Sequence, residues 1–208
     1  MRIQYRHPRI YHFLISFLYP KSLLDCLRKE IGMGKKVFEV AAGYGRLSRY
    51  IDASNNYQGI DLNPIFVRYG KRRGVNLRLG DILDAASYTI THDVVLVVDV
   101  VHHLTEQKLQ RLFDFVFRYA KEKVIIIEPS FIHIVGRWGF LGKILGWIFR
   151  FIDSDGFNTI QKWFTHGEYE ELFINRFRSV YGRDFSFVYT TLGGHYFVTF
   201  ERQTRGIT

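Results

Sequence analysis

Five carboxylates sit at or near the ends of hydrophobic runs in this chain: Glu39, Asp61, Asp81, Asp99 and Glu128. The first opens EVAAGYGRLS, residues 39–48, in which Gly43 and Gly45 alternate just ahead of a segment able to start a helix. Glycine there allows a tight turn and close approach of main chain to a ligand, and a helix start offers unpaired N–H groups. Asp61 follows Glu39 by 22 residues, the spacing at which an acid reaches ribose hydroxyls in a nucleotide-binding βαβ unit. A lone G-x-G after a strand is as often a plain turn, and a single strand-end acid is most often a helix cap or solvated. The succession Glu39, Asp61, Asp81 beside a glycine turn is what points to a nucleoside clasped between bare backbone and carboxylate. His102 and His103 follow the fourth run, and histidine suits proton transfer near neutral pH. The plainer alternative has one of them packing against the next helix while the other lines the cavity. Glu128 is a further pocket candidate, its alternative a pairing with nearby Arg or Lys.

Such residues need a scaffold that gathers strand ends. VFEVA (37–41), YQGID (57–61), LRLGD (77–81), DVVLVVD (93–99) and KVIIIEP (123–129) read as buried strands, the last two almost continuously apolar. Gly45 to Ile51, Pro64 to Arg73 and Thr105 to Ala120 carry helical spacing, with Thr105 the expected N-cap of the third. This β/α alternation implies a parallel sheet whose crevice opens at the carboxyl ends of its strands. DFSFVYTTLGGHYFVTFER (184–202) breaks the alternation with two β-rich runs around Gly193 and Gly194, the pattern of a hairpin. Ahead of it, FTHGEYEELF holds a capping box, Thr165 with Glu168 three residues on; His166 and Tyr169 then face either the pocket or, as first-turn residues more often do, solvent and neighbouring loops. The expected fold is α/β: a Rossmann-like, doubly wound, mostly parallel seven-stranded sheet with a C-terminal antiparallel hairpin, in an α-β-α sandwich.

With 208 residues, 47% hydrophobic and 17% aromatic, the chain can bury one substantial core. The expected organisation is a single domain over 1–208, with a helical cover at 1–34, a ligand-binding core at 35–130, a hydrophobic insertion at 131–160, and a final helix and hairpin at 161–208. No repeat, low-complexity segment or Pro/Ser-rich linker divides it. The single Cys26 excludes an internal disulfide framework and a cysteine metal cluster, so no metal is expected and a reducing, cytoplasmic setting is. The apolar run from Ile10 to Leu18 falls far short of the roughly 20 residues of a spanning helix, and no small-residue cleavage site follows it. It reads as a short amphipathic helix packed on the domain. A net charge of +9 biases contacts toward nucleic acid, anionic membrane or acidic ligands without choosing among them.

EVAAGYG resembles the acid-x-Gly-x-Gly-x-Gly loop of the class I S-adenosylmethionine-dependent methyltransferases. Glu39 stands at the acid and Gly43 and Gly45 at the second and third glycines, while Ala41 replaces the first. GIDLNP resembles the family's second-strand motif, which implies that Asp61 holds the ribose and Leu62 lines the adenine. GDIL resembles the third, implying Asp81 near the adenine amino group and Ile82 beside the ring. VVDVVHHL resembles the fourth, implying Asp99 and Val100 near the sulfonium. The resemblance covers about residues 35–130 and the final hairpin, and implies S-adenosylmethionine as cofactor. No nucleophile triad is needed, because a sulfonium methyl is already activated; catalysis is then positioning for in-line displacement, plus a base where the acceptor is a hydroxyl or acidic carbon. His102 and His103 are the candidate bases. A nicotinamide dehydrogenase fits less well, since Ser48 stands where its third glycine belongs.

PSFIHIVGRWGFLGKILGWIFRFIDSDG (129–156) is an insertion that such a core does not require. On a helix, Ile134, Trp138, Leu141, Leu145, Ile148 and Ile152 share one stripe, and Gly136, Gly139, Lys143, Gly146 and Arg150 another. It reads either as a lid over the acceptor pocket or as a basic amphipathic helix at a membrane interface, a peripheral contact through 132–152 at the inner face. Both readings imply an apolar acceptor. The leading expectation is therefore methyl transfer to a small, apolar or lipid-like acceptor of quinone, isoprenoid or phospholipid type. An RNA methyltransferase is the alternative, encouraged by Arg68, Lys71, Arg72 and Arg73; DVVHHL lacks the N/D-P-P-aromatic motif of nucleic-acid amino methyltransferases, so nucleic acid is not the expected partner. A noncatalytic methyltransferase-fold binding protein is the third reading.

Overall fold

A computed structural model describes residues 19–130 and 166–203. Seven strands form one sheet: β1 (Lys36–Val40), β2 (Asn56–Asp61), β3 (Leu77–Leu79), β4 (His92–Val98), β5 (Ala120–Pro129), β6 (Phe185–Leu192) and β7 (His195–Arg202). Their spatial order is β3-β2-β1-β4-β5-β7-β6. The first five are mutually parallel, while β7 runs antiparallel to both β5 and β6.

Alternation along the central strands builds the layers. Val95 and Val97 of β4 join a core with Phe38, Val40, Val124 and Ile126, covered by α3 (Glu106–Tyr119) through Leu109, Leu112, Phe113, Val116 and Phe117. The intervening Val94, Leu96 and Val98 point to the opposite face with Val37, Ile125 and Ile127, covered by α1 (Lys21–Ile31). Leu23, Leu27 and Ile31 of α1 recur every four residues and are buried, the stripe a helix needs to cover one face of a sheet. The sheet is thus sandwiched, and its two faces are specified by the period-2 pattern of β4 and β5.

Helix α2 (Pro64–Lys71) starts where Asn63 Oδ1 accepts the Ile65 N–H at 3.0 Å and Pro64 opens the first turn. Thr105 precedes α3 with extended backbone, yet its side chain makes no capping bond. After Gly45 the chain forms one 3₁₀ turn, Arg46–Arg49, where the sequence suggested a helix to Ile51; Ser48 Oγ bonds back to the Gly45 carbonyl at 2.7 Å and the turn closes on itself. The last helical segment runs as α4 (His166–Glu170), a π-helical stretch Glu171–Arg176 and α5 (Phe177–Tyr181). Arg68, Lys71, Arg72 and Arg73 are all exposed. The helix over Ile10–Leu18, both readings of the 131–160 insertion and the cap at Thr165 lie outside the described residues. Among the described helices, none is long and apolar enough to cross a membrane.

Because β7 is antiparallel, its first residue lies at the same rim as the carboxyl ends of the parallel strands: His195 pairs with Pro129, and Tyr196 with Glu128. The hairpin tip docks there on the start of the described chain. A Cβ on Gly193, which has φ +55°, would lie 2.1 Å from Pro20 Cγ.

Candidate active site

The loop after β1 turns through three left-handed residues, Ala41 (φ 54°), Gly43 (φ 59°) and Gly45 (φ 74°). Gly45 is required twice over, since a Cβ there would also meet Val75 Cγ1 at 2.5 Å. Ala41 holds a conformation that costs an L-residue roughly 1–2 kcal/mol. The fold of the loop is fixed from β2: Asp61 Oδ2 accepts the Gly43 N–H at 2.7 Å, and Asp61 Oδ1 accepts the Asn63 N–H at 2.7 Å. Gly43 and Asp61 therefore touch, which leaves no room for the nucleoside that the sequence placed between them.

A small, half-open cleft lies beside this loop, lined among others by Tyr19, Glu39, Ala41, Gly43, Arg46 and Asp99. Glu39 is only 4% exposed and accepts a hydrogen bond from the Tyr57 hydroxyl. Burial pushes its carboxyl up to about 8, against the opposing pull of Tyr57 and Arg46, so it holds a proton at neutral pH. The Arg46 guanidinium is buried in the same wall, 3.7 Å from the centre of the Tyr19 ring, close enough for a cation–π contact. Tyr19 in turn donates its hydroxyl hydrogen to Asp99 Oδ2 and lies 5.0 Å from the His195 ring.

Asp99 stands just past β4 with φ 52°. Its Oδ1 is buried and has no hydrogen-bond partner. Desolvation raises its affinity for a proton and Glu128 adds to this, while His195, the Tyr19 hydrogen bond and His102 oppose it.

Behind Asp99, a 3₁₀ turn, Val101–His103, is clamped from β5. Glu128, fully buried, accepts the Val100 and Val101 N–H groups at Oε1, both at 2.7 Å, and contacts His102 Nδ1 through Oε2 at 2.7 Å. Tyr169 of α4, also buried, hydrogen-bonds the same carboxylate, and burial with that negative charge drives its phenol well above the ordinary value. His102 is 1% exposed, and its ring sits 4.1 Å from that of His103.

Among the sequence-derived residues, Glu39, Ala41, Gly43 and Asp99 line one cleft, with Gly45 and Asp61 shaping its loop. Leu62, 40% exposed, and the exposed Asp81 lie at the neighbouring ends of β2 and β3. Ile82 packs against the core there, its carbonyl accepting the Tyr88 hydroxyl at 2.8 Å. Val100 is buried, its N–H bound to Glu128. His102 and His103 do not line the cleft. Sequence reasoning missed Tyr19, Arg46 and His195. Arg46 had a signal, a cation directly after the glycine pair; the other two reach the site only through tertiary docking. No group of His, Cys, Asp and Glu able to hold a metal ion occurs among the described residues.

Residues 37–123 match a family model described as a methyltransferase domain. No curated protein matches the sequence. Among solved structures, the chain resembles DhpI in its complex with SAH, at 16% identity over 97% of this chain and 94% of that one, TM-score 0.66. It also resembles the methyltransferase domain of bacterial CtHen1, at 17% identity over 88% and 96%, TM-score 0.64. A third is magnesium protoporphyrin IX methyltransferase from Synechocystis PCC 6803 with bound SAH, at 14% identity over 97% and 85%, TM-score 0.56. These likenesses establish the fold, and the segment that matches the methyltransferase-domain model contains the glycine loop, Asp61 and Asp99.

Proposed function

We propose that the protein methylates a small, apolar or lipid-like acceptor, with the cofactor laid across the carboxyl ends of β2, β1 and β4. The observation that carries this is the hydrogen bond from Gly43 N–H to Asp61 at the mouth of a cleft whose inner wall holds Arg46 and Asp99. In this reading Asp61 accepts the ribose hydroxyls, Leu62 and Ile82 flank the adenine, and Asp81 receives its amino group. Glu39, Ala41, Gly43 and Gly45 form the bed of the amino-acid tail, whose carboxylate pairs with Arg46. The buried, unpartnered oxygen of Asp99 and the guanidinium stacked on Tyr19 fit a ligand that presents a positive and a negative group to one cleft. When bound, the cofactor supplies a methyl group activated by its sulfonium charge. Asp99 and Val100 stand at that end of the cleft, with His102 and His103 one turn beyond.

The amphipathic stripe of residues 132–152 supports an apolar acceptor, as lid or as peripheral contact with the cytoplasmic membrane face. Calorimetric titration with S-adenosylhomocysteine tests the cofactor seat. Asp61→Ala should weaken binding by at least about tenfold, given charge-assisted hydrogen bonds of roughly 1.5–3 kcal/mol, and equal binding would defeat the assignment. Extracts incubated with methyl-labelled cofactor should yield a labelled organic-soluble product; label in RNA would favour the nucleic-acid reading. Liposome flotation unchanged by deleting 132–150 would remove the membrane contact.

A further inference from the structure

We propose that Asp99 takes the proton from a hydroxyl of the acceptor as that oxygen receives the methyl group, making the protein an O-methyltransferase. The inference rests on the cofactor reading above.

Sheet order places the acid. β1 lies between β2 and β4, so a nucleoside anchored at Asp61 and lying across the end of β1 directs its far end to β4, two strand spacings or about 10 Å away. Asp99 is the first residue after β4, and it lines the cleft. One of its oxygens is occupied by Tyr19; the other is buried without a partner, a state that proteins tolerate where a ligand completes it. The backbone is also held at φ 52°, with Asp99 N–H bonded to the Ile127 carbonyl at 2.9 Å. Such strain in a non-glycine residue persists only when its surroundings impose it, and it clusters at functional sites.

The groups packed around Asp99 are Tyr19, His195 from β7, Glu128 from β5, His102 from the following turn, Tyr169 from α4 and Glu39 across the cleft. Burial makes this carboxylate a better proton acceptor than an exposed one. His102, by contrast, is tied to Glu128 and sits outside the cleft lining.

The step balances without a further reagent. An oxygen lone pair of the hydroxyl forms the new C–O bond, the C–S bond breaks with its electrons returning to sulfur, and the hydroxyl proton passes to Asp99 Oδ1. Tyr19 is a positioning residue: its donation to Oδ2 holds the carboxylate and leaves Oδ1 as the oxygen without a partner.

The test needs no known acceptor. Sinefungin carries an ammonium where the cofactor carries its sulfonium methyl, S-adenosylhomocysteine carries nothing there, and 5′-methylthioadenosine lacks the amino-acid tail. Wild type should prefer sinefungin to S-adenosylhomocysteine. Asp99→Asn should lower that preference by about tenfold, the worth of a charge-assisted hydrogen bond, and leave S-adenosylhomocysteine affinity unchanged. The preference should also fade in wild type as pH drops through the Asp99 titration, and Tyr19→Phe should move that fade to higher pH, since it removes a hydrogen bond to the charged form. A preference that survives Asp99→Asn, or one flat with pH should that variant not fold, overturns the proposal. So does an Asp99→Asn that weakens S-adenosylhomocysteine and sinefungin alike while sparing methylthioadenosine, because Asp99 would then hold the tail ammonium. Labelled extract products bearing N-methyl groups overturn the hydroxyl assignment. Failure of wild type to bind S-adenosylhomocysteine is a different result, and refutes the cofactor seat itself.

Discussion

Glu39→Gln in the ligand-free protein should remove a specific slope from the pH dependence of stability. The carboxyl of Glu39 titrates at about 8 in the fold against an ordinary 4.5, chiefly because it is buried. Folded chain therefore holds a proton that unfolded chain has released, and stability is fully present below pH 4.5 and lost as pH rises through 8. The loss runs at roughly 1.4 kcal/mol per pH unit. Below pH 6.5 a second group masks it: burial holds His92 down to about 4, so its contribution is present above 6.5 and lost as pH falls toward 4, the opposite slope. The clean window is pH 6.5 to 8, across which Glu39 alone should cost wild type about 2 kcal/mol. Asp99 shifts in the same direction but is present in both proteins, so the difference between them isolates Glu39. The amide that replaces the carboxyl can still accept from Tyr57, which limits the structural disturbance. Urea unfolding of both proteins across that window reads the result. Parallel profiles would show that Glu39 is ionised in the fold, and the account of the cleft as holding a neutral acid beside Arg46 would fail.

Gly45→Ala combines a left-handed φ of 74° with a Cβ 2.5 Å from Val75 Cγ1, and thermal melting should show a loss of about 2–4 kcal/mol. Ala41→Gly relieves the φ of 54° without new contacts and should gain up to about 1 kcal/mol, offset in part by greater freedom of the unfolded chain. Glu128→Ala strips the acceptor from Val100 N–H, Val101 N–H and His102 at once and should cost about 3–5 kcal/mol by chemical denaturation. A loss below about 1 kcal/mol in that variant would mean water replaces the carboxylate and the clamp is not structural.

The parallel core was legible because its signals are local. β4 and β5 are apolar runs whose alternate residues feed two faces, and α3 has a buried stripe from Leu109 to Phe117; each pattern is complete within one segment. The place of Asp61 at the end of β2 was legible from the sequence, although its tie to Gly43 was not, since the hydrogen bond that fixes the loop joins residues 18 apart. The turn after Gly45 was misjudged for a related reason: Ser48 has ordinary helical neighbours, yet its N–H and its hydroxyl both bond back to the Gly45 carbonyl within a single 3₁₀ turn that ends at Arg49.

What the sequence could not disclose is where the hairpin docks. Gly193 and Gly194 mark a turn in any register, but β7 could have joined the sheet at either edge or paired through its other side. It inserts between β5 and β6, and that choice alone sets His195 opposite Pro129 and beside Tyr19. The absence of a side chain at Gly193 then lets Pro20 close onto the hairpin tip, which carries the Tyr19 hydroxyl to Asp99, 80 residues away in the chain. A side chain at Gly193 would push Pro20 outward and break that contact without touching any residue of the cleft. Control of the strained acid thus lies in strand order and one tip glycine, properties that no period or motif around Asp99 encodes.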